Sequence, residues 1–327
     1  MKRQISWLFI VVLTVVWLLG AVSVQTLGDF PDREITLIVP WPAGGGSDTI
    51  MRLLAQHAER HFGVPVVVVN QPGAAAGIGT RNMSLAEPDG YTVGMVGSGV
   101  LARQYIQQGG VPIDQLQPIV LVGAESSALT VRSDSPWQTL EDFIRDAERR
   151  PGQILNANDP PGGASFIAVA MLEQALGIEL NRIPYQGFAP SVVALVSREV
   201  DSTTVPVPDV VDLYNEGKFR ILGVMDTSRH FKALDVPTFQ EQGYDLVQGL
   251  WRSIIGPRGI PWDRLRTLEQ GFLATLNDPA FVEAANRAGF QIAPLGTQDT
   301  IDRWLNDDTV LLPILQELGL VVNNPRE

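Results

Sequence analysis

The residues best placed to do chemistry lie in one run, Leu37-Ile38-Val39-Pro40-Trp41-Pro42-Ala43-Gly44-Gly45-Gly46-Ser47-Asp48. The chemistry they offer is anion binding. Three consecutive glycines let backbone come close to a ligand where a Cβ would intrude. Beyond them, Ser47 or Asp48 can cap a helix whose apolar positions Ile50, Leu53, Leu54 and Ala58 follow helical spacing. Unpaired backbone N–H groups and the positive end of a helix dipole then face one small volume. Phosphate is the usual occupant of such a place, but the nucleotide motifs are missing. A P-loop ends in Gly-Lys-Ser/Thr, whereas Gly46 is followed by Ser47 and Asp48, and after Lys2 the next lysine is Lys218. Gly44 to Asp48 does not supply Gly-x-Gly-x-x-Gly either. A carboxylate site and a glycine turn of purely structural purpose remain.

Catalytic groups are scarce. His57 and His61 share a helical face at i and i+4, but the intervening Ala58-Glu59-Arg60 makes no His-Glu-x-x-His motif, so a solvated helix face accounts for them. Ser98 lies between Gly97 and Gly99, whereas a nucleophile elbow needs glycine two residues to either side, and Val96 and Val100 stand there. Neither a nucleophile with its base nor a metal-ligand cluster is legible, which argues against an enzyme and against a cofactor. Trp41 and Tyr185 each flank a loop of this kind and can pack against a ligand or against the core.

The elements that must position these residues alternate. Ile35 to Val39 reads as a buried strand, the glycine loop and a helix follow to about Phe62, and Val66 to Val69 is a second strand. A further helix after Ala74 and a strand at Tyr91 to Val96 complete a strand-helix-strand-helix-strand series, the signature of a parallel sheet with helices on its faces. Gly97-Ser98-Gly99 closes the third strand at the carboxyl edge where such sheets bind ligands. Two strands, Ile119 to Gly123 and Ala128 to Val131, lead onward. A second unit then repeats the device: the strand Ile154 to Ala157, the loop through Gly162-Gly163-Ala164-Ser165, and an alanine-rich helix to Leu176. Two α/β lobes aiming loops at a shared cleft would explain the repetition. Helical stretches follow around Trp262 to Leu276, Pro279 to Ala288 and Thr300 to Glu317.

Composition limits the rest. At 327 residues and 45% apolar content, the chain can bury two cores of ordinary size. Lys2 and Arg3 precede an almost unbroken apolar run from Ile5 to Val24, the layout of a secretory signal, with Ala21-Val22-Ser23 a passable cleavage site. The run is also long enough to stay as a membrane anchor. Residues 1–28 are therefore expected to be a signal peptide or anchor, and the mature chain to be periplasmic. There is no cysteine, hence no disulfide, lipoprotein attachment or thiolate chemistry. A formal charge of -12 at pH 7 opposes nucleic acid as a partner.

Taken together, several motifs resemble the Bug-type solute receptors of tripartite tricarboxylate transporters. They are Ile-Val-Pro-x-x-x-Gly-Gly-x-x-Asp at Ile38 to Asp48, Asn70-Gln71-Pro72-Gly73, Pro88-Asp89-Gly90-Tyr91-Thr92, Ile183-Pro184-Tyr185 with Gly187 and Ala189-Pro190, and Val236-Pro237-Thr238. The resemblance implies a two-lobed α/β periplasmic-binding-protein fold of the Venus-flytrap type II kind. One lobe would comprise residues 32–130 with 232–327, and the other residues 131–231. It further implies a monomer without cofactor or metal that closes on a small organic acid and presents it to membrane permease subunits. A ligand-sensing receptor for a membrane kinase and, behind it, a secreted enzyme acting on carboxylates are the alternatives.

Carried over residue by residue, the resemblance places Ala43, Gly44, Gly45, Ser47 and Asp48 at the ligand in one lobe, with Gly97 and Ser98 nearby. Gly163, Ser165, Tyr185 and Gly187 stand in the other. This chain also departs from the family. Gln186 stands where lysine is common, Val205 where aspartate is common, and Arg252-Ser253 follow the family tryptophan, Trp251. Arg252 either supplies a positive partner for the ligand or is an exposed or salt-bridged arginine. The missing lysine and aspartate favour mono- or dicarboxylates over citrate and amino acids.

Overall fold

The computed structural model describes residues 30–107, 110–317 and 319–325. The expected secretory segment lies outside them. Three parallel strands come first: β1 (Ile35–Val39), β2 (Val66–Asn70) and β3 (Thr92–Gly97), with Ile35 opposite Val66 and Thr36 opposite Thr92. Four of the five residues of β1 are buried, as expected of a parallel strand covered on both faces. The helices α1 (Gly46–Phe62), α2 (Gly77–Ser84) and α3 (Gly99–Ile106) follow these strands in turn. Ile50, Met51, Leu54, Ala55, Ala58 and Phe62 form the buried stripe of α1, which Gly63 ends in the left-handed conformation at φ 71°.

The next strand, β4 (Leu116–Arg132), is one continuous element of 17 residues where the sequence pattern predicts two. The apparent break is the polar run Glu125-Ser126-Ser127, which reads as a loop but lies buried in mid-strand. Register shifts between Pro118 and Val120 and between Leu121 and Gly123 bend the strand without ending it.

Beyond β4 the chain runs α4 (Leu140–Arg149), β5 (Leu155–Asn158), α5 (Ala164–Leu176), β6 (Asn181–Pro184), α6 (Phe188–Val196), β7 (Ser202–Pro206), α7 (Val207–Asn215) and β8 (Phe219–Val224). It returns through β9 (Gly249–Pro257) and ends in α8 (Trp262–Leu276), α9 (Pro279–Arg287) and α10 (Thr297–Glu317). The sheet is mixed rather than purely parallel, because β9 lies antiparallel between β3 and β4. Its order is β2-β1-β3-β9-β4-β7-β5-β6, with β8 on the other edge of β4. β4 belongs to both halves. Leu116 to Ser126 pair with β9, and Ser127 to Arg132 pair with β7 and β8.

The last helices pack on the first half. Phe62 of α1 meets Phe272 of α8 edge to face at 4.9 Å, over Gly271, where a Cβ would fall 2.3 Å from the Phe62 ring. The second half has its own core around Trp137, Phe143, Leu172 and Phe239. Each such side chain contributes about 1.5–3 kcal/mol by leaving water.

Candidate functional site

The glycine loop between β1 and α1 is held by its own aspartate. Asp48 sits in the first turn of α1, and Gly45, with extended backbone, occupies the N-cap in place of the expected Ser47 or Asp48. Asp48 accepts hydrogen bonds instead from Gly44 N–H at 3.0 Å, Arg52 Nε at 3.0 Å and Asn70 Nδ2 at 2.9 Å. Burial pushes its carboxyl up, but the donors Arg52, Gly44 and Asn70 outweigh that and hold it below its ordinary value. Asn70 also donates to Trp41 O at 3.0 Å, which ties the end of β2 to the loop. Gly44 takes φ +88°, a conformation suited to glycine.

The second loop uses the same device. Asp159 N–H donates to Ser165 Oγ at 2.7 Å, and Ser165 N–H returns a bond to Asp159 Oδ2 at 3.2 Å. A Cβ on Gly163 would fall 2.1 Å from that of Asp159, so the turn requires glycine.

Each loop has a close neighbour, the first in the segment Gly187 to Ala189 and the second in Gly99. A Cβ on Gly45 would stand 3.6 Å from Ala189 Cβ, one on Gly187 3.4 Å from the Trp41 ring, and one on Gly99 2.8 Å from Gly162 O. Trp41 stacks on Phe188 with centroids 6.4 Å apart. Between them, Trp41, Gly45, Gly46, Ser47, Gly187 and Phe188 line a crevice of about 10 Å³, room for roughly one water.

Behind this crevice lies a buried ionic cluster that the sequence reading did not assemble. Gly46 N–H donates to Asp209 Oδ1 at 2.8 Å. Arg252, only 1% exposed, donates from Nε to Ser47 Oγ at 3.3 Å, pairs through Nη1 with Glu125, and lies 5.6 Å over the Phe290 ring. Arg252 is thus salt-bridged, and it is buried rather than exposed. Burial pushes the Asp209 carboxyl up to about 7 against the pull of Arg252, with Glu125 adding to the rise. Burial likewise raises Asp159 to about 6, opposed by its bonds to Ser165 and by the charge of Arg103. Burial lowers Arg103 to about 10, against the charge of Asp159.

The remaining expected residues divide. Ala43 and Gly44 are exposed at the rim. Gly97 ends β3 opposite Arg252, and Ser98 N–H donates to Trp251 O at 3.1 Å. Ser98 lines a separate, mostly apolar cavity of about 270 Å³ with Leu101, Ile167, Met171 and Leu311. Tyr185 directs its hydroxyl to Glu199 at 3.2 Å, and Phe188 is the aromatic residue that stacks on Trp41. Trp251 is fully buried, stacked on Trp304 at 5.1 Å and bonded to Asp307 at 2.7 Å. Val205 is fully buried, and Gln186 is exposed. His57 packs edge-on to Phe281 at 5.8 Å, and His61 reaches Asp278 at 3.3 Å.

A two-part α/β sheet joined by crossing strands, with glycine loops and helix N-termini meeting between the parts, defines a two-lobed solute-binding protein. The fold matches that of the periplasmic binding protein BugD at TM-score 0.85, 27% identity, and coverage of 89% of this chain and 99% of that one. It also matches an R. palustris protein solved with adipate at TM-score 0.84, 23% identity, 90% of this chain and 99% of that one. The model of the tripartite tricarboxylate transporter family receptor covers residues 50–320. A UPF0065 protein of Bordetella pertussis is 30% identical over 308 residues, 93% of this chain and 95% of its own length. The chain belongs to the tripartite tricarboxylate transporter receptor family, and it is a solute-binding receptor of the Bug type.

Proposed function

We propose that this receptor works in the periplasm as a monomer without enzymatic activity. It captures a small mono- or dicarboxylate between two lobes and presents it to membrane permease subunits. The observation that carries this reading is the meeting of the Gly44–Ser47 loop with the segment Gly187 to Ala189, side by side with two helix N-termini. The lobes are residues 32–130 with 232–327, and residues 131–231. The exchange of β4 partners at Ser126 and Ser127 supports a division at that strand.

In this reading Gly45 and Ser47 present donors to the carboxylate together with the Ser165 hydroxyl, Asp48 holds its loop in shape, and Gly44, Gly163 and Gly187, whose N–H groups are held by Asp48, Pro160 O and Tyr185 O, shape the walls. Ala43, Gly97 and Ser98 border the ligand, while Trp41 and Tyr185 flank its body. Charge-assisted hydrogen bonds contribute about 1.5–3 kcal/mol each, so a few donors suffice without a lysine.

The test is calorimetry and thermal shift with a panel of mono- and dicarboxylates on the native chain and on Gly45→Asp. The native protein should gain about 2.7 kcal/mol of stability at a hundredfold excess over Kd. The variant should fold and lose binding, because a carboxylate then occupies the ligand's place. Undiminished affinity in the variant, or binding of neutral sugars alone by the native chain, would overturn the assignment.

A further inference from the structure

The buried cluster behind the crevice bears on which acids fit. Arg252 donates a hydrogen bond from Nε to Ser47 and sets Nη1 against Glu125 as an ion pair. Its Nη2 is shielded from solvent and has no hydrogen-bond partner among the described residues. Asp209 is likewise half used. Oδ1 accepts from Gly46 N–H, while Oδ2 is shielded and without a partner among the described residues. The guanidinium is near enough to act on Asp209 through its charge, yet no ion pair joins the two among the described residues. Native structures rarely leave a buried donor and a buried acceptor both unmet in one neighbourhood. Ser47, which accepts from Arg252 Nε, keeps its own hydroxyl hydrogen for a third party.

We propose that Arg252 and Asp209 select acids that carry an N–H or O–H donor on the carbon beside the carboxylate. The carboxylate accepts from Arg252 Nη2 and the Ser47 hydroxyl, and the neighbouring donor gives its hydrogen to Asp209 Oδ2. An acid without that donor brings negative charge toward Glu125, Asp209 and Asp159 and leaves Oδ2 bare. This inference rests on the carboxylate-receptor reading and replaces the preference against amino acids drawn from Val205, because Asp209 supplies, four residues on, the acid that position 205 lacks.

Hydroxyl and ammonium donors separate by pH. The groups facing Asp209 are Arg252 on β9, Glu125 on β4, Asp159 before α5 and the Gly46 N–H on α1. Burial holds Asp209 near 7, so acidification from pH 8 to 6 neutralises it. An ammonium ligand then loses its counter-charge, whereas a hydroxyl still finds a partner in the protonated carboxyl.

The experiment is calorimetry with three matched sets: propionate, lactate and alanine; succinate, malate and aspartate; glutarate, 2-hydroxyglutarate and glutamate. Within at least one set, the hydroxy or amino acid should bind about tenfold or more tightly than its unsubstituted partner. Asp209→Asn should shrink that ratio to within about threefold, with folding checked by melting temperature. If that variant does not fold, the native ratios decide alone. A loss of affinity between pH 8 and 6 for the amino acid alone identifies ammonium as the donor read, and equal retention identifies hydroxyl. Binding that ignores the substituent overturns this inference and leaves the carboxylate reading standing. If none of the nine binds, both fall.

Discussion

Replacing Arg252 by methionine would leave Glu125 buried beside Asp209 and Asp159 with its counter-charge removed. Breaking a buried pair in this way typically costs about 3–5 kcal/mol, which urea unfolding at pH 7.5 would read directly. Adding Glu125→Gln to that variant should recover much of the loss, since the stranded charge is then gone; no recovery would mean that the arginine matters through packing on Phe290. Asp209 predicts a dependence on pH. Its folded value near 7 lies above the 3.8 of an ordinary aspartate, so the folded state holds the proton more tightly. The stability this group contributes is complete below about 4 and is lost as pH rises through 7. Asp209→Asn should therefore raise the melting temperature at pH 8 and flatten its fall between pH 4 and 7. An unchanged slope would place the titration elsewhere. Arg252 was legible only as one of two alternatives and Asp209 not at all, because the contacts that define them lie far along the chain. Gly46 and Asp209 are 163 residues apart, and Ser47 and Arg252 are 205 apart.

At the scale of elements, the unit that matters is β1, the glycine loop and α1, locked by Asp48 and Asn70. Removing the amide with Asn70→Ala would free the Trp41 carbonyl and take one donor from Asp48 together, at a cost of about 1–3 kcal/mol. Hydrogen exchange should then quicken at Gly44, whose N–H is held by Asp48, while α8 stays protected; uniform quickening would show that Asn70 supports the whole fold. Local pattern was enough to find this unit, since glycines, prolines and helical spacing are signals read within a dozen residues. It misplaced the cap because Ser and Asp are the usual capping types, whereas Gly45 takes the extended cap conformation and leaves Asp48 free to reach back to Gly44. The same bias broke β4 in two. Polar residues in mid-strand read as a loop until their partners are known: Arg252 for Glu125, and Gln248 for Ser127 at 2.8 Å.

For the molecule as a whole, β4 is the strand both halves of the sheet use, and what packs on it decides how the C-terminal helices return. Gly123 has no space for a side chain, with a Cβ 2.3 Å from Gln291 O, and the segment beside it bonds to β4 through Ala293 and Leu295. Gly123→Val should cost about 1–3 kcal/mol by overpacking and loosen α10 before α5. Equal loosening of both helices would argue against the two halves having separate cores. The close approach of Gly45 and Ala189 has a further use in a chain that contains no cysteine. At 3.6 Å, their Cβ positions fall within the 3.5–4.5 Å span of a disulfide. A Gly45→Cys, Ala189→Cys pair would thus form a bolt with no competing thiol to scramble it. Oxidised in the absence of solute, the bolted protein should refuse ligand; oxidised after loading, it should retain ligand through dialysis, and a reductant should reverse both states.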